Sequence, residues 1–367
     1  MKLLPILLAA AAIQCRAELY HVYAGSYTGK GSTSQGITRL TFDTKTGELI
    51  SAGTAAKAAS PSFLVLNKEH TLLYAVNEDT SSASAYRVAG DGGLTLLNSL
   101  PAGDKPGAGP CHLCLIPEAG MLVVANYGGG SVATFALEKD GSLKALSGFH
   151  QHTGSGGNPS RQKEPHAHSA VLSPGGGYVL VNDLGTDQIY IYAVHPESKT
   201  LKLKSKTALK PGSGPRHGAF SPDGKTFYSL NELDSSVTSL TWDEASGSLK
   251  AGASVSTLPE GFKGNNSTAE IVTNGTFVYG SNRGHDSIAV FSVGAGGLKP
   301  LEHQLTGGKV PRNFTLSPDG KWLLSAHQAS NDITVLPRAG DGTLGDAGKP
   351  VGLGKPVCLV FGGIIKQ

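Results

Sequence analysis

The sequence predicts an all-β protein, a seven-bladed β-propeller whose last blade is closed by strands from both chain termini. Its turn-rich composition, a repeated unit and two complementary half-units at the chain ends predict this fold. The chain has 367 residues, of which 50 are glycine and 20 are proline, and only 16% are charged. No long stretch has the apolar periodicity of a helix. This composition is typical of many short strands joined by tight turns.

The repeated unit is about 50 residues long. It begins with a proline and an alternating apolar strand, followed by a Ser-Pro-Asp-Gly type of turn. A second strand ends in Asn plus one residue, and a third strand leads to a Gly-x-Leu turn. The clearest copy runs from Pro215 through Asn231-Glu232 to Gly247-Ser248-Leu249. Five further copies begin at Pro61, Pro110, Pro165, Pro311 and, without the proline, near Asn266.

The seventh unit is split between the two ends of the chain. Pro356 to Phe361 supplies its opening strand, and the remaining parts lie at Leu19 to Tyr27, Gln35 to Phe42 and Gly47-Glu48-Leu49. A four-stranded sheet of this length buries its two faces by packing between neighbours around an axis, and closing the ring removes exposed ends. An open β-solenoid or a sandwich is the alternative, but neither explains such a unit with split ends.

Residues 1–17 have the layout of a cleaved secretory signal. Lys2 precedes an apolar stretch from Leu3 to Ile13, and the segment ends in Cys15-Arg16-Ala17. The apolar stretch is too short to span a membrane. A buried N-terminal strand or helix is one alternative, and a lipoprotein signal at Cys15, which the preceding glutamine disfavours, is another. The sequence therefore predicts export to the periplasm or the exterior, and a propeller domain over residues 18–367.

Charge and cysteine content exclude several classes of partner. Removing Lys2 and Arg16 with the signal leaves about one excess positive charge, so neither nucleic acid nor a membrane is an expected partner. Cys111 and Cys114 lie in a predicted strand, where three residues span roughly 10 Å, which is too far for a disulfide. No second cysteine pair completes a zinc site. The sequence therefore predicts no cofactor and no metal.

Two series of repeat positions are candidates for a functional site. In a propeller, the opening strands line the channel, and their ends form a funnel with the connecting loops. Residues in both series differ from blade to blade while the surrounding frame repeats. On the opening strands the series is Ser62, Cys111, His168, Arg216, Ser267 and Arg312. After the second strands it is Glu78, Tyr127, Asp183, Glu232, Arg283 and Gln328. Alternatively, these side chains only solvate a water-filled channel.

Five motifs, taken together, resemble the bacterial propeller-type 6-phosphogluconolactonases and the related fungal carboxymuconate-lactonizing enzyme. The resemblance covers the whole mature chain, and it implies a lactonase site at His168, Arg216, Glu232 and Arg283. The motifs are Pro-His-Ala-His-Ser at 165–169, Pro-Arg-His at 215–217, Asn-Glu-Leu-Asp-Ser-Ser-Val at 231–237, Ser-Asn-Arg at 281–283 and Pro-Arg-Asn-Phe at 311–314.

These residue types suit the hydrolysis of a cyclic ester. The reaction needs a base that activates water, a proton for the leaving alkoxide, and positive charge near the carbonyl oxygen. His168 and Glu232 form the titratable pair, and either can be the base. Arg216 and Arg283 can clamp an anion and stabilise the developing charge. Alternatively, Arg216 pairs with Glu232 as a channel salt bridge, which is compatible with catalysis.

Four further residues are candidates for substrate binding. Arg312, and Arg161 in a long loop at 154–164, can add positive charge at the rim of the funnel. His166 belongs to the histidine motif at 165–169, and Asp183 belongs to the series that follows the second strands. Both have a simpler interpretation, because His166, like His217, can pack or hydrogen bond, and Asp183, like Glu78, can be polar lining.

The sequence therefore predicts a monomeric, exported carboxylic-ester hydrolase of carbohydrate metabolism that opens a sugar-type or anionic lactone. Two other functions remain open. One is a non-catalytic propeller that binds an anionic sugar or a partner through the funnel, and the other is a lactonizing or cycloisomerizing enzyme. Export also separates the protein from intracellular sugar phosphates, so the sequence leaves open whether the lactone is phosphorylated.

Overall fold

The computed structural model describes residues 18–103 and 107–366, and within these ranges it contains strands and turns but no helix. The predicted signal at residues 1–17 lies outside the described residues. The first strands in chain order are β1 (Leu19–Ser26), β2 (Gly36–Asp43), β3 (Leu49–Lys57), β4 (Pro61–Leu66), β5 (Leu72–Asn77), β6 (Ser82–Val88), β7 (Leu94–Pro101), β8 (Pro110–Ile116), β9 (Met121–Asn126), β10 (Ser131–Leu137), β11 (Leu143–Gln151), β12 (Ala167–Leu172), β13 (Tyr178–Asp183) and β14 (Gln188–His195). The others are β15 (Thr200–Ala208), β16 (Pro215–Phe220), β17 (Thr226–Asn231), β18 (Ser236–Asp243), β19 (Ser248–Ser256), β20 (Thr268–Thr273), β21 (Phe277–Asn282), β22 (Ser287–Gly294), β23 (Gly297–Leu305), β24 (Pro311–Leu316), β25 (Trp322–His327), β26 (Asp332–Pro337), β27 (Val351–Gly352) and β28 (Pro356–Ile364).

These strands form seven four-stranded antiparallel sheets, which confirms the seven-bladed propeller. Blades 1 to 6 each take four consecutive strands, from β4–β7 to β24–β27. Blade 7 has the order β28-β1-β2-β3. Its strands β1 and β28 pair antiparallel, with Tyr23 opposite Val360. The two ends of the chain therefore close the ring, as predicted.

Apolar side chains pack between neighbouring blades. Phe42 and Leu40 of blade 7, for example, pack with Leu324 and Ile333 of blade 6, and burying one such side chain stabilises the fold by about 1.5–3 kcal/mol. Tyrosine hydroxyls add polar links. Tyr74 donates a hydrogen bond to the carbonyl of Gly141 in the next blade at 2.9 Å, so its ring is buried with its polar tip satisfied.

Every opening strand contains a β-bulge at the same place. Pro215 lies opposite Asn231 and His217 lies opposite Leu230, so Arg216 between them is the extra residue. The other six opening strands have an equivalent shift. A bulge changes the direction of the side chain that it inserts. The bulge therefore separates the side chain of the second residue of each opening strand from that of the third.

The pairing corrects the predicted register in two blades. In blade 5, Thr268 lies opposite Asn282, as Pro215 does opposite Asn231. The equivalent of Arg216 is therefore Ala269, and the prediction of Ser267 is wrong. That blade lacks both the proline and the usual turn from which the position was counted.

In blade 3, the second strand extends one residue further than the sequence pattern predicts. Asp183 pairs with Gln188 just as Asn231 pairs with Ser236, so Asp183 occupies the asparagine position of the repeat. Leu184 takes the following position, which belongs to the second series. Asp183 is therefore one residue away from the place in the repeat that the prediction assigned to it.

Candidate active site

A pocket of about 320 Å³ lies at one end of the central channel. Its walls come from the bulge residues of the opening strands and from the residues that follow the second strands. A cavity of this size is in the range that binds small molecules. Its lining consists of Glu78, Gly109, Cys111, Tyr127, Gly128, Arg161, His168, Glu232, Arg283 and Arg312.

Glu232 is the centre of the charged groups in this pocket. One carboxylate oxygen, Oε2, accepts hydrogen bonds from Arg216 Nε at 3.0 Å and from Arg283 Nη2 at 2.8 Å. The other oxygen, Oε1, accepts one from Arg161 Nη2 at 2.9 Å. Three arginines that are distant in sequence therefore converge on a single buried carboxylate.

The arginines decide the ionisation of Glu232. Burial alone would raise the pKa of this carboxyl, but the charges of Arg283, Arg216 and Arg161 outweigh burial and lower its pKa to about 2. At neutral pH the group is an anion with little affinity for a proton. Its chemistry is therefore that of a fixed counter-charge.

Arg216 and Arg283 differ in their access to the pocket. Arg216 lies behind Glu232 with its side chain only 3% exposed, and it also donates to the carbonyl of Ala269. Arg283 reaches the pocket and donates to the carbonyl of Thr268 at 2.7 Å. Burial and the nearby Arg216 lower the pKa of Arg283 to about 9, so it still carries its charge at neutral pH.

His168 lies in the wall of the pocket and is only 4% exposed. Its ring makes an edge contact with Tyr127 at 5.3 Å between centroids, and its backbone carbonyl accepts a bond from the Cys111 thiol at 3.3 Å. Within the described chain, its Nε2 atom has no hydrogen-bond partner. Burial, followed by the charge of Arg216, lowers the pKa of His168 well below its usual value. The imidazole is therefore neutral at pH 7.

Arg312 lies next to Tyr27 and Glu78. Its guanidinium lies 5.4 Å from the centroid of the Tyr27 ring and donates a long bond of 3.3 Å to Gln328, while Tyr27 donates to Glu78 at 3.1 Å. Among residues 18–103 and 107–366, no carboxylate lies within 4.0 Å of the Arg312 guanidinium nitrogens. Unlike the three arginines around Glu232, Arg312 therefore faces the pocket without a direct ion pair.

Arg161 and His166 both contact Tyr127. The Arg161 side chain is 43% exposed and donates to the Tyr127 hydroxyl at 3.4 Å. His166 stacks on the Tyr127 ring at 4.4 Å between centroids, and its Nδ1 atom lies 2.9 Å from the Tyr127 carbonyl oxygen. Arg161 thus lines the pocket, whereas His166 lies behind Tyr127 and does not line it.

Asp183 lies outside the pocket, because it occupies the asparagine position of the repeat. It is fully buried, and its Oδ2 atom pairs with His152 Nδ1 at 2.6 Å. Its Oδ1 atom accepts bonds from the amides of His166 at 2.9 Å and Thr186 at 3.0 Å. Asp183 therefore supports the backbone beside the histidine motif and has no access to a ligand in the pocket.

Beneath the pocket lies a second layer, the channel floor, of which only His217 was predicted, as a packing or hydrogen-bonding residue. Phe63 stacks on His112 at 3.9 Å, and the His217 ring contacts those of His112 at 5.1 Å and His168 at 5.3 Å. Its members are the third residues of their opening strands, which directly follow the bulges. Their recurrence at the same repeat position is the signal that could have identified them.

The floor also contains one carboxylate, Glu270. It accepts bonds from Asn313 Nδ2 at 2.5 Å and from the Ile271 amide at 3.0 Å, and it lies 3.1 Å from His217 Nδ1. Burial raises the pKa of Glu270 to about 6. Two carboxylates in adjacent layers therefore have pKa values shifted in opposite directions.

In the described residues, no three His, Cys, Asp or Glu side chains are grouped so that they could hold a metal ion. Cys111, Cys114 and Cys358 are buried and free. No helix with the length and apolar character needed to cross a bilayer occurs in this part of the chain.

Comparisons with known proteins agree with this architecture. The family described as "Lactonase, 7-bladed beta-propeller" matches residues 21–361. The 6-phosphogluconolactonase of Bacillus subtilis (strain 168) is 33% identical over 350 residues, covering 93% of this chain and 98% of that protein. The periplasmic gluconolactonase of Pseudomonas aeruginosa is 31% identical and superposes with a TM-score of 0.87, covering 94% of this chain and 99% of that one.

Proposed function

This chain belongs to the family of seven-bladed β-propeller lactonases, and we propose on that premise that it hydrolyses a sugar-type lactone to the hydroxy acid in the pocket around Glu232. The main support is that a neutral histidine, His168, lines the same pocket as Glu232, the carboxylate on which the arginines converge. Hydrolysis of a cyclic ester needs a proton acceptor and fixed positive charge.

His168 is the proposed base. Its lowered pKa keeps the imidazole neutral at pH 7, and its Nε2 atom is free to accept a proton from a water molecule as the water oxygen attacks the carbonyl carbon. A base positioned in this way contributes about 10²–10⁴ in rate. Glu232 is the weaker candidate, because its pKa of about 2 leaves it little tendency to bind a proton.

The arginines stabilise the charge that develops. As the carbonyl oxygen becomes an oxyanion, the cationic Arg283 lies in the pocket wall to receive it, while Glu232, which is also paired with Arg216, holds Arg283 in place. The carbon then loses its bond to the ring oxygen. The protonated His168 returns its proton to that oxygen, which releases the hydroxyl and carboxyl groups of the product.

The remaining pocket residues bind the rest of the lactone. Arg312 and Arg161 supply positive charge on the pocket walls, and Glu78 and Tyr127 can hydrogen bond with sugar hydroxyls. The P. aeruginosa similarity is to a periplasmic gluconolactonase. Together with the signal predicted at residues 1–17, this supports an exported, single-domain enzyme that acts on sugar lactones outside the cytoplasm.

The test is pH-stat hydrolysis of gluconolactone and 6-phosphogluconolactone by the protein purified without residues 1–17, corrected for spontaneous opening. Rates are compared with those of His168→Ala, Glu232→Gln and Arg283→Ala. We expect turnover above background and a loss of roughly 10²-fold or more in each variant. Circular dichroism confirms folding.

An absence of turnover on both lactones, with all variants folded, would reject the proposal. Ligand binding that persisted without hydrolysis would then favour the non-catalytic propeller. Formation of lactone from the hydroxy acid, followed by product analysis, would instead identify a lactonizing enzyme.

A further inference from the structure

The loop at 154–164 is built around a tight turn at Asn158. The Asn158 carbonyl accepts bonds from the amides of Arg161 at 3.2 Å and Gln162 at 2.8 Å, and its side-chain Oδ1 accepts one from the Ser160 amide at 3.1 Å. Local bonds from an asparagine side chain to the backbone are a strong turn device. The backbone that carries Arg161 is therefore ordered by its own sequence.

Gln162, the next residue, anchors this turn to the propeller. Its side chain is 1% exposed, and its amide nitrogen donates to the Leu184 carbonyl at 2.7 Å and to Asp187 Oδ1 at 2.6 Å. Its side-chain oxygen accepts a bond from the Asn158 amide at 2.6 Å. A buried amide with these bonds holds the loop in one position.

Asp187 joins this loop to the segment that leads into blade 4. Its carboxylate accepts bonds from Gly157 N at 2.8 Å, Gly212 N at 2.7 Å and Gly214 N at 2.8 Å, in addition to Gln162. Its backbone has φ of 55°, a conformation that aspartate tolerates better than most residues. One buried carboxylate thus clamps the two chain segments that supply Arg161 and Arg216.

Asp187 and Gln162 hold the backbone of Arg161 and leave its side chain accessible. The backbone of this residue is held by the buried Gln162 and Asp187, but its guanidinium is 43% exposed at the pocket mouth. Glu232, the ion-pair partner of Arg161, is also paired through its Oε2 atom with Arg216 and Arg283. Arg161 can therefore turn toward a ligand anion without leaving the buried carboxylate uncompensated.

We propose that Asp187 and Gln162 are positioning residues that fix Arg161 at the pocket mouth, where it selects lactones that carry a second acidic group. This inference rests on the proposed lactonase function and adds a substrate class to it. The acidic group is a phosphate or a carboxylate, since a guanidinium binds either through paired hydrogen bonds.

The experiment measures kcat and KM on three lactones: neutral gluconolactone, 6-phosphogluconolactone and the carboxylate-bearing glucaro-1,4-lactone. The variants are Arg161→Ala, Asp187→Asn, Gln162→Ala and the double variant Asp187→Asn/Arg161→Ala. We expect Arg161→Ala to raise KM roughly tenfold more on the acidic lactones than on gluconolactone, because a charged hydrogen bond to the second acidic group is lost.

If Asp187 and Gln162 act through Arg161, their variants shift KM in the same selective way, and Asp187→Asn adds nothing once Arg161 is alanine. Preference for only one acidic lactone would identify the acidic group. Equal losses on neutral and acidic lactones, or additive effects in the double variant, would overturn the inference.

A matched control is Glu244→Gln. Glu244 also accepts a bond across a blade junction, from Ser173 Oγ at 2.8 Å, and one from Trp242 Nε1 of its own blade at 2.7 Å, but it lies at the other end of the strands. This variant should keep the wild-type selectivity, so loss of selectivity here would also count against the inference.

Binding of 6-phosphogluconate, followed by calorimetry, separates this inference from the lactonase proposal. If the wild type hydrolyses none of the lactones, the lactonase proposal fails. Weaker binding in Arg161→Ala and Asp187→Asn than in the wild type would still support the positioning role. Absent or unchanged binding in these variants and the wild type alike would reject it.

Discussion

The pocket wall and the channel floor are built from consecutive residues of the same strands, yet their chemistry differs. The second residues of the opening strands include Cys111, His168 and Arg312, which line the pocket. The third residues include His112 and His217, whose rings pack edge to face in the floor. A bulge at the second residue separates the two layers. A single inserted residue per blade thus produces a charged surface above and a packed one below.

The two carboxylates show what this separation does. Glu232 lies among three arginines, which lower its pKa to about 2 despite burial. Glu270 lies one layer below, where burial dominates and raises its pKa to about 6. The same side chain is therefore a permanent anion in one layer and a titrating group in the other, and surroundings rather than residue type decide its role.

Replacing one histidine in each layer should produce the largest difference between the two layers. We expect His168→Ala to lower kcat/KM by about 10²–10⁴ while the protein remains folded. His217→Ala leaves Glu270 without one of its partners, which costs about 1–3 kcal/mol of stability, and it lowers the rate much less. Lactone hydrolysis and thermal unfolding measure the two effects. If His217→Ala abolished turnover in a stably folded protein, the floor would belong to the catalytic machinery.

The free energy of unfolding should depend on pH through buried groups of both layers. His112, His168 and His217 have lowered pKa values in the folded protein, so below about pH 6.5 the unfolded chain binds protons that the folded chain does not. The free energy of unfolding should therefore fall as pH decreases from 7 to 5. Glu270, with its raised pKa, acts in the opposite sense between pH 4.5 and about 6.

Urea unfolding at several pH values measures this prediction, and Glu270→Gln is the informative variant. Without the opposing carboxyl, the loss of stability on acidification should be steeper than in the wild type. A shallower loss would show that Glu270 is ionised throughout this range, as its three polar contacts would favour.

The smallest expected effect concerns Cys111, the only cysteine that lines the pocket in the described residues. Burial raises the pKa of this thiol to about 12, so it stays protonated and is a poor nucleophile. We expect Cys111→Ser to keep kcat/KM within roughly threefold of the wild type, because serine can still donate to the His168 carbonyl. Complete loss of hydrolysis in this variant would indicate that the thiol takes part in the reaction.

Much of this architecture could be predicted from local signals. The prolines at 61, 110, 215 and 311 mark the first residues of their strands, and the split seventh blade follows from complementary end segments. Ser267 and Asp183 were misplaced, because blade 5 lacks the opening proline and because Asn182 in blade 3 lies one residue before the position that Asn231 occupies in blade 4. A shift by one residue turns a strand side chain to the other face.

Local sequence patterns were sufficient to predict the number of blades, the closure of the ring and most of the residues that line the pocket. These properties follow from alternation and turn chemistry, which act between neighbours in the chain. The folded ring, in contrast, brings Arg161, Arg216 and Arg283 to one carboxylate, places Asp183 outside the pocket and makes Glu232 and Glu270 titrate differently. Charge interactions and burial depend on distances in space, and the folded ring sets those distances.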